Sequence, residues 1–156
     1  MTRLHERIET TLPIEATFDY VADFANAQEW DPGVASARRI DDGPVAVGAR
    51  YDLGVRMGGR VAPMEYRITQ FDRPLRVVLV GAGSNVDAVD DIRFERSGPG
   101  TAIDYTADIR LGGLLRFAQP FLGGSFAKVA RDAAGGMELT LAARAANAPR
   151  NDEGIA

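Results

Sequence analysis

The sequence predicts an α+β fold in which a curved, seven-stranded antiparallel sheet wraps a long C-terminal helix, with two short helices after the first strand. Three observations carry this reading. Apolar and polar residues alternate from Val34 to Leu111 between closely spaced turns, a helical corner opens at Pro13, and from Gly113 onward the apolar period becomes helical.

The first segment places Leu4, Ile8 and Leu12 on one parity with Glu6 and Thr10, and His5, Arg7, Glu9 and Thr11 on the other. Side chains of a strand alternate between its faces, so this is a half-buried strand with His5 toward solvent. Pro13 ends it, and proline suits the first position of the helix that follows. Ile14, Phe18 and Val21 then recur at helical spacing as far as Phe24, with Glu15 and Asp19 near the positive end. Asn26 and Glu29 have the spacing of a capping box for a second, very short helix, which Pro32-Gly33 terminates.

Turn signals at Asp41-Asp42-Gly43-Pro44, Gly58-Gly59, Asp72-Arg73-Pro74, Gly81-Ala82-Gly83 and Ser97-Gly98-Pro99-Gly100 divide the middle of the chain. The strands between them are predicted at Val34 to Asp41, Ala49 to Met57, Val61 to Phe71, Leu75 to Gly81, Val86 to Arg96 and Thr101 to Leu111. Connections this short make antiparallel hairpins, because a parallel pair needs a long crossover. Leu122, Phe126, Val129, Ala133, Met137 and Leu141 then form one helical stripe running to about Ala146, with Pro120 kinking the helix or marking its start. One domain is expected over residues 1–146, and residues 147–156 form a polar tail expected to be disordered.

Composition narrows the function. Hydrophobic residues make up 46% and charged residues 26% of the 156, and no apolar run approaches the ~20 residues of a membrane-spanning helix. The charged start, with Arg3, His5, Glu6 and Arg7, lacks the apolar stretch of a signal peptide, so a cytoplasmic protein without stable membrane insertion is expected. A net charge of -4 with scattered basic residues disfavours nucleic acid as a partner. There is no cysteine and one histidine, which leaves no thiolate chemistry and disfavours a metal centre or a Ser-His-Asp relay. Gly81-Ala82-Gly83 is no dinucleotide fingerprint, since Val86 stands where its last glycine belongs, and no cofactor is implied.

The order of elements is similar to the helix-grip fold of the START-like (SRPBCC) superfamily. Within it the chain resembles the polyketide cyclase/dehydrase type, on several stretches. These are Pro13-Ile14-Glu15-Ala16-Thr17-Phe18, Asp23, Glu29-Trp30-Asp31-Pro32-Gly33-Val34, Ile68-Thr69-Gln70-Phe71-Asp72-Arg73-Pro74, Gly100-Thr101, and Leu111-Gly112-Gly113-Leu114-Leu115. The resemblance implies a cavity between sheet and long helix that holds a lipid, polyketide, sterol or other largely apolar molecule.

Parity nominates the pocket residues. Tyr51, Leu53, Val55 and Met57 share one strand face, Met64, Tyr66 and Ile68 the next, and Ile103, Tyr105, Ala107 and Ile109 the last. The tyrosines either pack the core or orient a ligand oxygen. Asp90 shares parity with Val86, Ala88, Ile92 and Phe94, which carries a carboxylate onto the apolar face. There it acts as acid or base, unless a bulge turns it outward and leaves Asp91 in its place, or an arginine pairs with it.

Trp30 closes the cavity mouth or covers the core, and Asp31 is assigned to the turn rather than the ligand. Phe117, Phe121, Phe126, Val129 and Met137 of the long helix form a lid or floor, or belong to the core. Three functions follow. The chain binds an apolar small molecule; or it is a cofactor-independent cyclase or dehydratase using Asp90, Tyr66 and Tyr105; or it meets a protein partner through its corner or sheet edge. Its expected state is a monomer or homodimer.

Overall fold

The computed structural model describes residues 1–148, and the remainder of the expected tail lies outside them. Strand β1 (Thr2–Thr10) leads into helix α1 (Ile14–Ala22), a 3-10 turn (Phe24–Asn26) and helix α2 (Ala27–Trp30). Strands β2 (Val34–Arg39), β3 (Arg50–Met57), β4 (Arg60–Asp72), β5 (Arg76–Ala82), β6 (Val86–Ser97) and β7 (Gly100–Leu111) follow, and helix α3 (Gly123–Asn147) closes the chain. Each predicted strand is present with ends shifted by one or two residues. All seven pair antiparallel in the order β1-β7-β6-β5-β4-β3-β2, so every sequential pair from β2 to β7 is a hairpin and β1 adds to the far edge. Among the described residues no helix is long and apolar enough to cross a membrane.

Three local details differ from the sequence reading. Pro13 precedes α1 in extended backbone rather than occupying its first turn, and its carbonyl accepts from Thr17. Asn26 makes no cap; its side-chain amide donates to the Tyr20 carbonyl at 3.0 Å, while Glu29 receives the Tyr20 hydroxyl. Asp23 caps instead, accepting from Ala25 N at 3.2 Å. The third concerns the approach to α3. Gly113 takes a left-handed φ of +58°, and two 3-10 turns, Gly113–Phe117 and Gln119–Phe121, precede the α-helix. Pro120 sits at the start of the second of these, where its missing N–H costs nothing. Phe117 and Phe121 therefore never join the α3 stripe. They stand 64% and 87% exposed, and the expectation that they wall the cavity is corrected by this break in helical phase.

The concave face of the sheet is divided between two partners. Phe18 of α1 stacks edge-on against Phe71 and Phe94 at 5.2 and 5.0 Å, and Phe24 reaches Tyr51 and Tyr66 at 6.3 and 5.4 Å. This half is solid core. The other half faces α3, whose fully buried side chains are only Met137 and Leu141. A buried hydroxyl network fixes the corner: Thr101 Oγ1 donates to the Leu12 carbonyl at 2.8 Å, and Thr17 Oγ1 to the Pro13 carbonyl at 2.9 Å.

Candidate functional site

Register explains how the site is assembled. Strand β6 pairs without a bulge on both sides, Asp90 lying opposite Leu79 and Ala107, and Asp91 opposite Val78 and Thr106. Strict alternation therefore sends Asp90 inward, where it is 6% exposed, and Asp91 outward. Asp91 is held there by the Arg76 guanidinium in a bidentate pair at 2.9 and 2.8 Å.

Above Asp90 is a cavity of about 150 Å³. The sheet supplies Val55, Tyr66, Ala88, Tyr105, Ala107 and Ile109 to its wall. Strand β1 adds Leu4, Glu6 and Ile8, the corner adds Trp30 and Asp31, and α3 covers it with Val129, Ala130, Ala133, Ala134 and Met137. The hollow has a simple origin. Both walls carry small side chains where they face each other, Ala88 and Ala107 below and the alanines of α3 above, so neither fills the gap that close packing would otherwise remove.

Glycine places one of the phenols. Gly81 lies opposite Tyr66 across the β4–β5 pair, and a Cβ at Gly81 would come within 2.5 Å of the Tyr66 ring. The absence of that carbon lets the ring lie flat across β5, between Phe24 and the cavity. Tyr105 is seated against Trp30, ring centres 6.0 Å apart and nearly perpendicular. Burial holds both phenols well above their ordinary pKa, reinforced by the nearby Asp90 charge, so they remain neutral donors at any working pH.

The Asp90 carboxyl is pushed up to about 7, chiefly by desolvation. The Tyr105 hydroxyl acts the other way by favouring the charged form, although no hydrogen bond of ordinary geometry joins the two, and the Asp31 carboxylate adds to the rise. Asp31 is itself raised by burial and held back by the Gly33 N–H, which donates to its Oδ1 at 2.7 Å. Among the described residues no three His, Cys, Asp or Glu side chains are placed to hold a metal ion.

Of the residues nominated from the sequence, Trp30, Val55, Tyr66, Ala88, Asp90, Tyr105, Ala107, Ile109, Val129 and Met137 meet at the cavity. Tyr51, Leu53, Met64, Ile68 and Ile103 do not reach it; they belong to the core beneath α1 and the corner, because Phe18 and Phe24 occupy that half of the concave face. Met57 and Phe126 pack against the margin of the same core. Glu6 and Asp31 were not nominated. Glu6 shares the parity of Leu4 and Ile8, which was a usable signal, whereas Asp31 both fixes its turn and faces the cavity, a double role that turn chemistry hides.

The sequence profile of the family described as "Polyketide cyclase / dehydrase and lipid transport" matches residues 1–143. The chain belongs to that family. No curated protein matches it in sequence. Among solved structures it is similar to a START superfamily protein from Mycobacterium smegmatis, with 12% identity and a TM-score of 0.76 over 90% of this chain and 97% of that one. A protein from Thermus thermophilus superposes with a TM-score of 0.75 at 14% identity, covering 95% and 99% of the two chains. A conserved Geobacillus kaustophilus protein gives 0.66 at 18% identity, covering 89% and 94%. At such identities the likeness establishes the helix-grip fold alone, and what each member of the family binds is set by its own cavity.

Proposed function

We propose that this member of the polyketide cyclase/dehydrase family binds one small, largely apolar molecule between the sheet and α3. The observation that carries the reading is the hollow itself, walled mainly by aliphatic and aromatic side chains, with a few polar groups converging on one point. Its size limits the guest. A cavity of about 150 Å³ accepts a body of roughly one aromatic ring, and a full polyketide or lipid requires α3 to move outward.

Filling the cavity tests this. Ala133→Leu puts a branched side chain into the space from the α3 side, and native mass spectrometry of protein as purified should show a non-covalent small-molecule adduct on the wild type. At least a tenfold lower occupancy is expected in the variant at unchanged circular dichroism. Equal occupancy in the two would place the adduct elsewhere and defeat the proposal.

A second reading is favoured by Asp90. A carboxyl that exchanges its proton near neutrality, with the neutral phenols Tyr66 and Tyr105 lining the same space, has the chemistry for a cofactor-free cyclisation or dehydration. The carboxylate would remove a proton next to a carbonyl, and the phenols would stabilise the oxygen that gains charge. With a substrate in hand, Asp90→Asn should reduce turnover at least about tenfold at unchanged fold. Turnover equal to wild type would leave binding as the function.

A further inference from the structure

We propose that the cavity is built for a small organic cation, a compact ammonium ion whose charged nitrogen pairs with Asp90 beside Tyr66 and Tyr105. The proposal rests on the binding function above and names the chemical class of the guest.

The first argument is the sorting of charge across the sheet. Among the described residues the cavity wall contains Glu6, Asp31 and Asp90 and no arginine, lysine or histidine. On the outer face three arginines of the strands around the cavity are engaged with other acids: Arg3 with Asp108 at 2.8 Å, Arg7 with Asp104 at 2.9 Å, and Arg76 with Asp91 at 2.8 Å. Helix α3 presents Val129, Ala130, Ala133, Ala134 and Met137 to the cavity, and its Lys128 pairs along the helix with Asp132. Strand β5 adds no charge, since Leu79 and Gly81 are its inward residues here. An anionic guest would meet three acids and no compensating cation.

The second argument is the unmet demand of Asp90. Its side chain is more than nine-tenths buried, lines the cavity, and has no hydrogen-bonded partner of ordinary geometry among the described residues. Buried polar groups are nearly always satisfied, and a buried carboxylate without a counter-charge is costly. Asp31 differs, because the Gly33 N–H already serves it. The neighbouring phenols bring donors but no charge, so a counter-charge for Asp90 has to come from the guest, and an ammonium nitrogen brings both donors and charge.

The third argument is the aromatic surround. Trp30, Tyr66 and Tyr105 stand in the same wall, and aromatic rings attract cations by a further increment that grows when water is excluded. The Trp30 indole N–H is sealed within the wall, so it does not compete as a donor to the guest.

Isothermal titration of the full chain with benzylamine, benzyl alcohol and benzoate tests the idea with one ring and three charge states. At pH 8 the amine should bind at least about tenfold more tightly than the alcohol, and benzoate least. At pH 5.5 the preference should shrink, because Asp90 must release its proton to pair, and each pH unit below its own pKa costs up to about tenfold in affinity. Asp90→Asn should bind amine and alcohol alike; the wild-type comparison stands even if that variant folds poorly. Alcohol or benzoate binding as well as the amine would overturn the cation while leaving an apolar pocket. No binding of any of the three would overturn both.

Discussion

Replacing Gly136 by alanine is expected to destabilise the protein by about 1–3 kcal/mol, whereas the same change at Gly135 should stabilise it by up to about 1 kcal/mol. The two glycines are neighbours in α3 and differ in what they face. A Cβ on Gly136 would lie 2.1 Å from the Trp30 carbonyl oxygen and 3.3 Å from Pro32 Cδ, so either α3 or the corner must retreat. A Cβ on Gly135 meets nothing within 4 Å, and alanine there only gains helix propensity. Close approach at Gly136 sets the height of α3 above the sheet, and residues from Val129 to Met137 roof the cavity. Urea unfolding at constant m-value measures both changes. Shifts of the same sign and size would mean that α3 is not seated on the corner.

Asp90→Asn is expected to stabilise the protein relative to wild type, by an amount that grows as pH rises from about 4 to about 7 and is then constant. The folded carboxyl holds its proton up to about 7 against 3.8 for an unperturbed group. Between those values the unfolded chain releases a proton that the folded chain keeps, so wild-type stability falls with rising pH by on the order of 4 kcal/mol from this group. Below both values each state is protonated and the penalty is absent.

Asparagine never ionises, so it escapes the penalty. Asp19, Asp41, Glu65, Asp91 and Asp108 are shifted downward by their arginine partners and stabilise the fold above their unfolded pKa, a contribution lost as pH falls. Those carboxylates are common to both proteins and cancel in the difference. Paired denaturation curves at pH 4 and pH 8 give the result; a wild-type-minus-variant difference that does not change with pH would show that Asp90 is not buried as described. The same experiment bears on the proposed cation, because a group that costs stability when ionised and alone has something to gain from a guest that pairs with it.

The strands were legible because each repeats a period-two pattern between turn residues whose chemistry is local, as at Gly58-Gly59 and Ser97-Gly98-Pro99-Gly100. The parity of Asp90 with Ala88 and Ile92 was legible for the same reason, but the choice between Asp90 and Asp91 was not, because it rests on an unbulged strand that only the pairing with β5 and β7 shows. The cavity's extent was not. Tyr51, Leu53 and Met64 share the parity of true lining residues, and only the seating of Phe18 and Phe24 over their half of the sheet turns them into core. The alanines Ala130 and Ala134 gave no apolar-stripe signal, and Ala133 lay on the stripe without marking a hollow, because all three matter by what they leave unfilled.

The sequence by itself determined the curved antiparallel sheet, the helical corner and the amphipathic C-terminal helix, because periodicity and turn chemistry act between residues close along the chain. Tertiary structure alone decided where the hollow lies and which acids share it. Glu6, Asp31 and Asp90 come from three distant segments, and they are brought to one space by the pairing of β1 with β7 and by the contact of α3 with the corner. Such long-range proximity leaves no trace in local spacing.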